Sequence, residues 1–267
     1  MDNMYNVNAC YRSISQRHSV RAYKKDAIPA DVLDRISALC TGFSPLCAGA
    51  QAQLVREDAA GLFTGFVGSL GKIANAPSAL VFTVNTDAPK HMEAAGYLGE
   101  GIVLDATAAG LGTCWVAGSF SRSQVAKRLD LPGSSWKTVA VTPLGYPSDN
   151  MPLGLQMLKL MSHSKTRKPL SEIASGLPAE KWPPKLAEVL EAARWAPSAM
   201  NRQPWRFTVD ETGVTLSVNS AALSLPSLKH LDCGIAMLHF EVAAKALGMS
   251  GRWDLADGPA AVARFSF

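Results

Sequence analysis

Two distant stretches of this chain can be laid over one another. Residues 98–112 read LGEGIVLDATAAGLG and residues 234–248 read GIAMLHFEVAAKALG, so that Leu104 falls on Phe240, Ala108 on Ala244, Leu111 on Leu247 and Gly112 on Gly248. Each stretch belongs to a longer apolar segment, 94–110 and 229–247, which predicts a central, closely packed helix rather than a surface one. Gly110, Gly112 and Gly248 stand where helix C-termini place glycine. Shorter amphipathic helices correspond too: Val32, Leu33 and Ile36 in 29–40 match Leu186, Val189 and Leu190 in 184–195. Asp31 lies in the first turn of the former. Around the first long helix the apolar runs 78–84 and 136–144 read as strands, with a further helix over 121–129 and Ser121 as its N-cap. Around the second, strands are expected at 205–209, 214–218 and 260–267, with a hairpin-like turn at Glu211, Thr212 and Gly213. The order helix, strand, long helix, strand therefore occurs twice. Any two Ala-rich helices ending in Leu-Gly would align about as well, but a matching order on both sides favours a diverged internal duplication. The expectation is an α+β chain of two tandem repeats, 1–160 and 161–267, joined within 148–183 and forming one compact unit.

Composition removes several functional classes. With 267 residues, 48% of them hydrophobic and 18% charged, the chain can bury a sizeable core. The 26 Lys+Arg against 22 Asp+Glu leave +4, and the basic residues are scattered rather than striped, so no nucleic-acid partner is expected. The longest apolar runs are far short of the ~20 residues of a membrane span, and the N-terminus shows no apolar secretory core. Five cysteines without C-x-x-C spacing fit reduced thiols in a cytoplasmic protein better than a disulfide or zinc framework.

Several apparent motifs do not withstand a closer reading. Residues 65–72, GFVGSLGK, resemble a phosphate loop, but the first glycine of that pattern would be Phe66 and Lys72 is followed by Ile73. The pairs Gly99/Gly101 and Gly110/Gly112 lie within or at the end of a helix, where close packing explains them better than a dinucleotide site. His230, Asp232, Cys233 and His239 have no defensible zinc spacing and are read as one helix face, so no metal site is expected. No G-x-S-x-G elbow is present, and no catalytic side chain is assigned.

Two segments carry chemistry. Arg17-His18-Ser19-Val20-Arg21 gathers two guanidiniums, an imidazole and a hydroxyl ahead of a helix. Guanidinium forks suit phosphate oxygens, although a solvated basic arm would read the same way. The second is Pro197-Ser198-Ala199-Met200-Asn201-Arg202-Gln203-Pro204-Trp205, where the chain turns out of an apolar helix. It presents a hydroxyl and two amides beside an apolar wall, a set that could satisfy the edge of a planar heterocycle or simply cap a loop.

Together these segments resemble the nitroreductase family of FMN-dependent oxidoreductases. The Pro-Ser-x-x-Asn-x-Gln-Pro-Trp match at 197–205 is specific. Arg17 to Arg21, the Gly-Leu-Gly-x-x-Trp turn at 110–115, the loop 117–120 and Gly145-Tyr146-Pro147 are weaker and extend the resemblance over nearly the whole chain. The resemblance implies an α+β nitroreductase-like fold that binds FMN, with NAD(P)H as electron donor. It also implies ping-pong hydride transfer to a small-molecule acceptor such as a nitroaromatic or quinone. In the family the Pro-Ser loop follows the first helix; here that place, 43–54, holds only a worn version. Family members are usually homodimers with flavin between subunits. A fused pseudo-dimer, acting as a monomer, would then retain one intact site. Its reciprocal, pairing Ser162, His163 and Ser164 with 43–54, would be empty.

Carried over residue by residue, Arg17, His18 and Ser19 would meet the phosphate and ribityl side of FMN, and Arg21 the pyrimidine edge. Pro197, Ser198, Ala199, Asn201 and Gln203 would line the ring from the other half. Ala117 and Gly118 match the loop whose backbone approaches the ring. Lys165 and Arg167 resemble the basic stretch that closes the phosphate site, and Lys72 is a weaker candidate at the ring edge. Two alternatives share the scaffold: another FMN-dependent reduction, of a conjugated or halogenated substrate, and a non-catalytic flavin-binding or storage protein.

Overall fold

The computed structural model describes residues 5–43, 46–63, 73–149, 166–221, 225–256 and 261–267. In chain order the elements are α1 (Val7–Gln16), α2 (Ala30–Gly42), β1 (Ala50–Val55), β2 (Ser78–Asn85), α3 (His91–Ala108), β3 (Gly112–Thr113), α4 (Arg122–Ala126) and β4 (Trp136–Gly145). They continue with α5 (Leu170–Ile173), β5 (Ala174–Gly176), α6 (Leu186–Arg194), β6 (Trp205–Asp210), β7 (Gly213–Val218), α7 (Pro226–Ala246), β8 (Arg252–Leu255) and β9 (Ala261–Ser266). Each expected helix and strand is present within a few residues of its predicted ends. Ser121 caps α4 as expected, its Oγ accepting from the Gln124 N–H at 3.4 Å.

The strands form two sheets. The first has the order β1-β2-β4-β3, all antiparallel. The second has the order β5-β6-β7-β9-β8, in which only β5 pairs in parallel. With β5 set aside, the two orders are the same, strand for strand. An irregularity recurs as well. The β2–β4 register shifts between Phe82 and Thr83, leaving Val139 without an opposite, and the β7–β9 register shifts between Leu216 and Ser217, leaving Val262 without one.

The two long helices make the main contact between the sheets. α3 and α7 run side by side in the same direction, since Glu93 meets His230 and Glu100 meets His239. Glycines set their separation. A methyl group on Gly96 would overlap the Leu231 carbonyl, and one on Gly234 would overlap the Glu93 carbonyl. The packing reading of Gly99 and Gly101 holds: their missing side chains admit the rings of Trp115 and Phe43.

Six elements go beyond the expectation: α1, β1, β3, α5, β5 and β8. α1 was not foreseen, although Asn6 is a visible cap whose Oδ1 accepts from the Ala9 N–H at 3.0 Å. The stretch read as a worn loop over 43–54 ends instead in β1, which pairs with β2 from Ala50 to Val55. Its inward residues Ala50 and Ala52 are too small to signal a strand. β8 depends on its pairing with β9 rather than on its own short sequence.

Candidate functional site

The Arg17 to Arg21 segment leaves α1 in extended form and is fixed by the first sheet. Val20 N–H donates to Thr113 O at 2.8 Å, Tyr23 N–H to Ala74 O at 3.0 Å, and the Tyr23 hydroxyl to Val20 O at 2.6 Å. With its backbone committed, the segment turns Ser19 and Arg21 toward the second half of the chain. His18 points the other way: it is exposed, and its Nδ1 lies 3.0 Å from Gln16 O.

The Pro-Ser loop follows α6. Ser198 Oγ accepts from Gln203 N–H at 2.9 Å, closing the turn. Met200, Asn201 and Gln203 have φ of 52°, 56° and 49°, left-handed values that cost non-glycine residues energy and persist only where neighbours enforce them. The enforcing contacts come from residues 166–168, before α5. Asn201 Nδ2 donates to Thr166 O at 2.9 Å, Gln203 Oε1 accepts from Lys168 N–H at 2.8 Å, and Arg167 Nη1 donates to Asn201 Oδ1 at 3.3 Å. From below, Asp232 on α7 accepts the Ala199 N–H.

Between these segments lies a cavity of about 280 Å³. One wall is Ser19, Arg21 and the stretch 114–119; the other is Pro197, Ser198, Ala199 and Met200, with Leu228, Leu231, Asp232 and Ile235 of α7. Seven of the expected site residues therefore meet: Ser19, Arg21, Ala117, Gly118, Pro197, Ser198 and Ala199. Asn201 and Gln203 are placed differently from the expectation; they brace the loop and do not line the cavity. Lys72 and Lys165 lie outside the described residues. The α7 wall was missed. An acid inside an apolar helix was its only sequence signal, and Asp232 was read as part of a plain helix face.

A family model described as "Putative TM nitroreductase" matches residues 9–244. This chain belongs to the nitroreductase family. Among solved structures, a protein from Thermotoga maritima MSB8 described as a "putative nitroreductase" is 21% identical over 100% of this chain and 95% of its own, with a TM-score of 0.64. A nitroreductase family protein from Clostridium novyi NT is 25% identical over 52% of this chain and 85% of its own, with a TM-score of 0.45. An FMN-dependent nitroreductase from Clostridium difficile R20291 is 20% identical over 52% of this chain and 88% of its own, with a TM-score of 0.44. No curated protein matches the chain.

Two of the expected guanidiniums, Arg17 and Arg167, lie outside the cavity lining, Arg17 two residues before Ser19 and Arg167 against Asn201. The Arg17 side chain is 4% exposed, and its Nε and Nη1 have no hydrogen-bond acceptor among the described residues. Its nearest carboxylate is Glu100, with Oε1 3.7 Å from Nε. Glu100 is already engaged by Trp115 Nε1 at 2.7 Å and His239 Nε2 at 2.9 Å. Arg167 is lowered to about 10, first by burial and then by the charges of Arg17 and Arg194. Arg17 thus keeps a loose ion pair with Glu100 while two of its nitrogens stay free to donate, and Arg167 donates to Asn201 Oδ1 and Trp195 O. Gly118 does line the cavity. A methyl group built on it meets nothing within 4 Å among the described residues, so the backbone there leaves open space on the cavity wall.

Proposed function

We propose that this chain is an FMN-dependent NAD(P)H oxidoreductase of nitroreductase type, with one flavin site formed between two diverged repeats. Bound FMN would supply hydride transfer between NAD(P)H and a nitroaromatic, quinone or similar acceptor. Arg17 and Arg167 would hold the phosphate, Ser19 the ribityl side and Arg21 the pyrimidine edge. Pro197, Ser198 and Ala199 would wall the ring from the other half, while Ala117 and Gly118 let the backbone come close. Asn201 and Gln203 would act at one remove, holding the loop in its left-handed conformation. The observation that carries this reading is the cavity itself, whose walls come from residues 19–119 on one side and 197–235 on the other.

The repeats proposed are 1–160 and 161–267. Their support is the common strand order and the shared shift in register at Val139 and Val262. On this reading the α3–α7 contact is the family's subunit contact brought inside one chain, and the protein acts as a monomer.

The test is the flavin content of the purified protein. Denaturation should release one FMN per chain, since one Arg-Ser segment faces one intact Pro-Ser loop. Two per chain would overturn the single-site reading, and a colourless protein that takes up no FMN would overturn the flavin reading. Oxidation of NAD(P)H in the presence of menadione separates an oxidoreductase from a flavin store.

A further inference from the structure

Asp232 lies in the α7 wall of the cavity and is 3% exposed. Its two carboxyl oxygens share one donor, the Ala199 N–H, at 3.2 and 3.1 Å, and no other donor reaches them among the described residues. The charged and titratable groups around it are engaged elsewhere or offer no ion pair. On α7, Lys229 Nζ donates to Ser220 O at 2.8 Å, and Cys233 is a buried thiol that burial pushes well up. His230 places Nδ1 2.7 Å from Glu93 on α3, and Lys90 lies 4.0 Å from the same carboxylate. Arg21 and Cys114 line the first-half wall without pairing to the acid.

Burial therefore dominates and holds the Asp232 carboxyl well above the usual carboxylate range, with the Ala199 N–H opposing it only in part. A neutral carboxyl can accept the Ala199 N–H on one oxygen and still has an O–H to give. Its neighbours in the cavity wall, Leu228, Leu231 and Ile235, have no side-chain acceptor. The position that aligns with Asp232 on α3 is Gly96, so the acid has no counterpart in the first half.

We propose that Asp232 is the neutral hydrogen-bond donor of this cavity, giving its carboxyl O–H to an uncharged oxygen or ring nitrogen of the planar conjugated ligand held against Pro197, Ser198 and Ala199. The inference rests on the flavin reading above. The acceptor atom belongs either to the flavin ring or to the oxidant reduced there, and the chemistry required of it is the same.

The experiment compares wild type, Asp232→Ala and Asp232→Asn from neutral to alkaline pH. Fluorescence titration of the apoprotein reads FMN affinity, and steady-state kinetics of the holoprotein read KM for menadione. Asp232→Ala should weaken one of the two by about 3- to 12-fold at neutral pH, the worth of one neutral hydrogen bond. Asp232→Asn, which keeps both an acceptor for Ala199 and an N–H donor, should recover most of that loss. Wild-type affinity should fall toward the Asp232→Ala value as the acid ionises, whereas Asp232→Asn should show no such fall. A loss in FMN affinity puts the acceptor atom on the flavin; a loss in KM alone puts it on the oxidant. Wild type and Asp232→Asn sharing one pH profile would overturn the proposal, and that comparison decides the matter even if Asp232→Ala does not fold. Asp232→Ala within twofold of wild type in both measurements would overturn it as well. Wild type that binds no FMN defeats the flavin reading and this inference together; FMN binding indifferent to Asp232 at every pH, with KM unmoved, defeats only the latter.

Discussion

The loop after α6 stands beside a cavity, while the stretch after α2, its counterpart under the proposed duplication, is held against residues 88–91. In the first half, Gly49 has φ 107°, and a methyl group there would overlap Ala88. Cys47 Sγ lies 3.6 Å from Pro89 O, and Lys90 Nζ donates to Ala261 O at 3.2 Å, crossing to the second sheet. The helices beneath differ in the same sense. The α7 residues that wall the cavity, Leu228, Leu231, Asp232 and Ile235, align with Met92, Ala95, Gly96 and Gly99 on α3. Gly96 admits the Leu231 backbone and Gly99 the rings of Trp115 and Phe82, where α7 carries Asp232 and Ile235. One strand order thus carries different side chains at four aligned helix positions, and in close-packed interiors such size differences are felt.

Breaking the helix contact should have the largest effect. Gly96→Ala and Gly234→Ala each drive a methyl group into backbone rather than into a movable side chain. Each should cost about 3 kcal/mol or more, the upper part of the overpacking range, read as a shift in the denaturant midpoint. Gly118→Ala, which meets no protein atom, should leave apoprotein stability within about 0.5 kcal/mol and weaken FMN. Equal stability losses at Gly118 and Gly96 would mean that Gly118 is held by packing and not by a ligand.

The two halves should separate next in flavin affinity. Arg17→Ala removes a charge-assisted contact worth about 1.5–3 kcal/mol, a loss of roughly 10- to 150-fold in FMN affinity by fluorescence titration. Lys90→Ala, beside the first-half counterpart, should leave that affinity within about twofold, because Lys90 is engaged at the second sheet. Matching losses would show that the first-half stretch also binds flavin.

A smaller difference should appear in the pH dependence of apoprotein stability. Asp232 holds its proton more tightly folded than unfolded, so the folded state binds more protons once the pH exceeds the ordinary carboxylate value. Its contribution is fully present in acid and is lost as the pH rises toward the raised native value. Asp232→Asn should therefore melt closer to wild type in acid and above it on the alkaline side. A constant offset at all pH values would show that Asp232 ionises freely in the fold.

The smallest effect tests the revised place of Asn201. Because it braces the loop from the side of Thr166 and Arg167, Asn201→Ala and Arg21→Ala should change FMN affinity additively, within about 0.5 kcal/mol. Ser198→Ala, which alters the cavity wall, should couple to Arg21→Ala by more than that. Strong coupling at Asn201 would return it to the ring, where the motif first placed it.

Much of this molecule was legible in the chain. Apolar runs and their periods located both long helices and most strands, because local burial patterns repeat with the geometry of the element. Glycines marked the helix ends, Ser121 marked a cap, and the Pro-Ser motif marked the loop that turns toward the site. Pairing the Arg17 to Arg21 segment with the loop of the other half anticipated Ser19, Arg21 and Pro197 to Ala199 in the cavity wall, but not the α7 face. β1 escaped notice because its buried residues are alanines, and its strand character comes from pairing with β2.

Where each polar side chain points was decided only in three dimensions. Asn201 and Gln203 face Thr166 and Lys168 instead of the cavity, Arg17 lies beside Glu100 and near Arg167, and Asp232 stands alone beneath Ala199. The reason is physical. A motif specifies a turn and an inventory of donors, but the partner of each donor is set by segments more than thirty residues away, brought together by the close approach of α3 and α7. Burial then sets the chemistry. The same carboxyl that would be an ordinary carboxylate on an exposed helix is pushed well up by burial beneath Ala199.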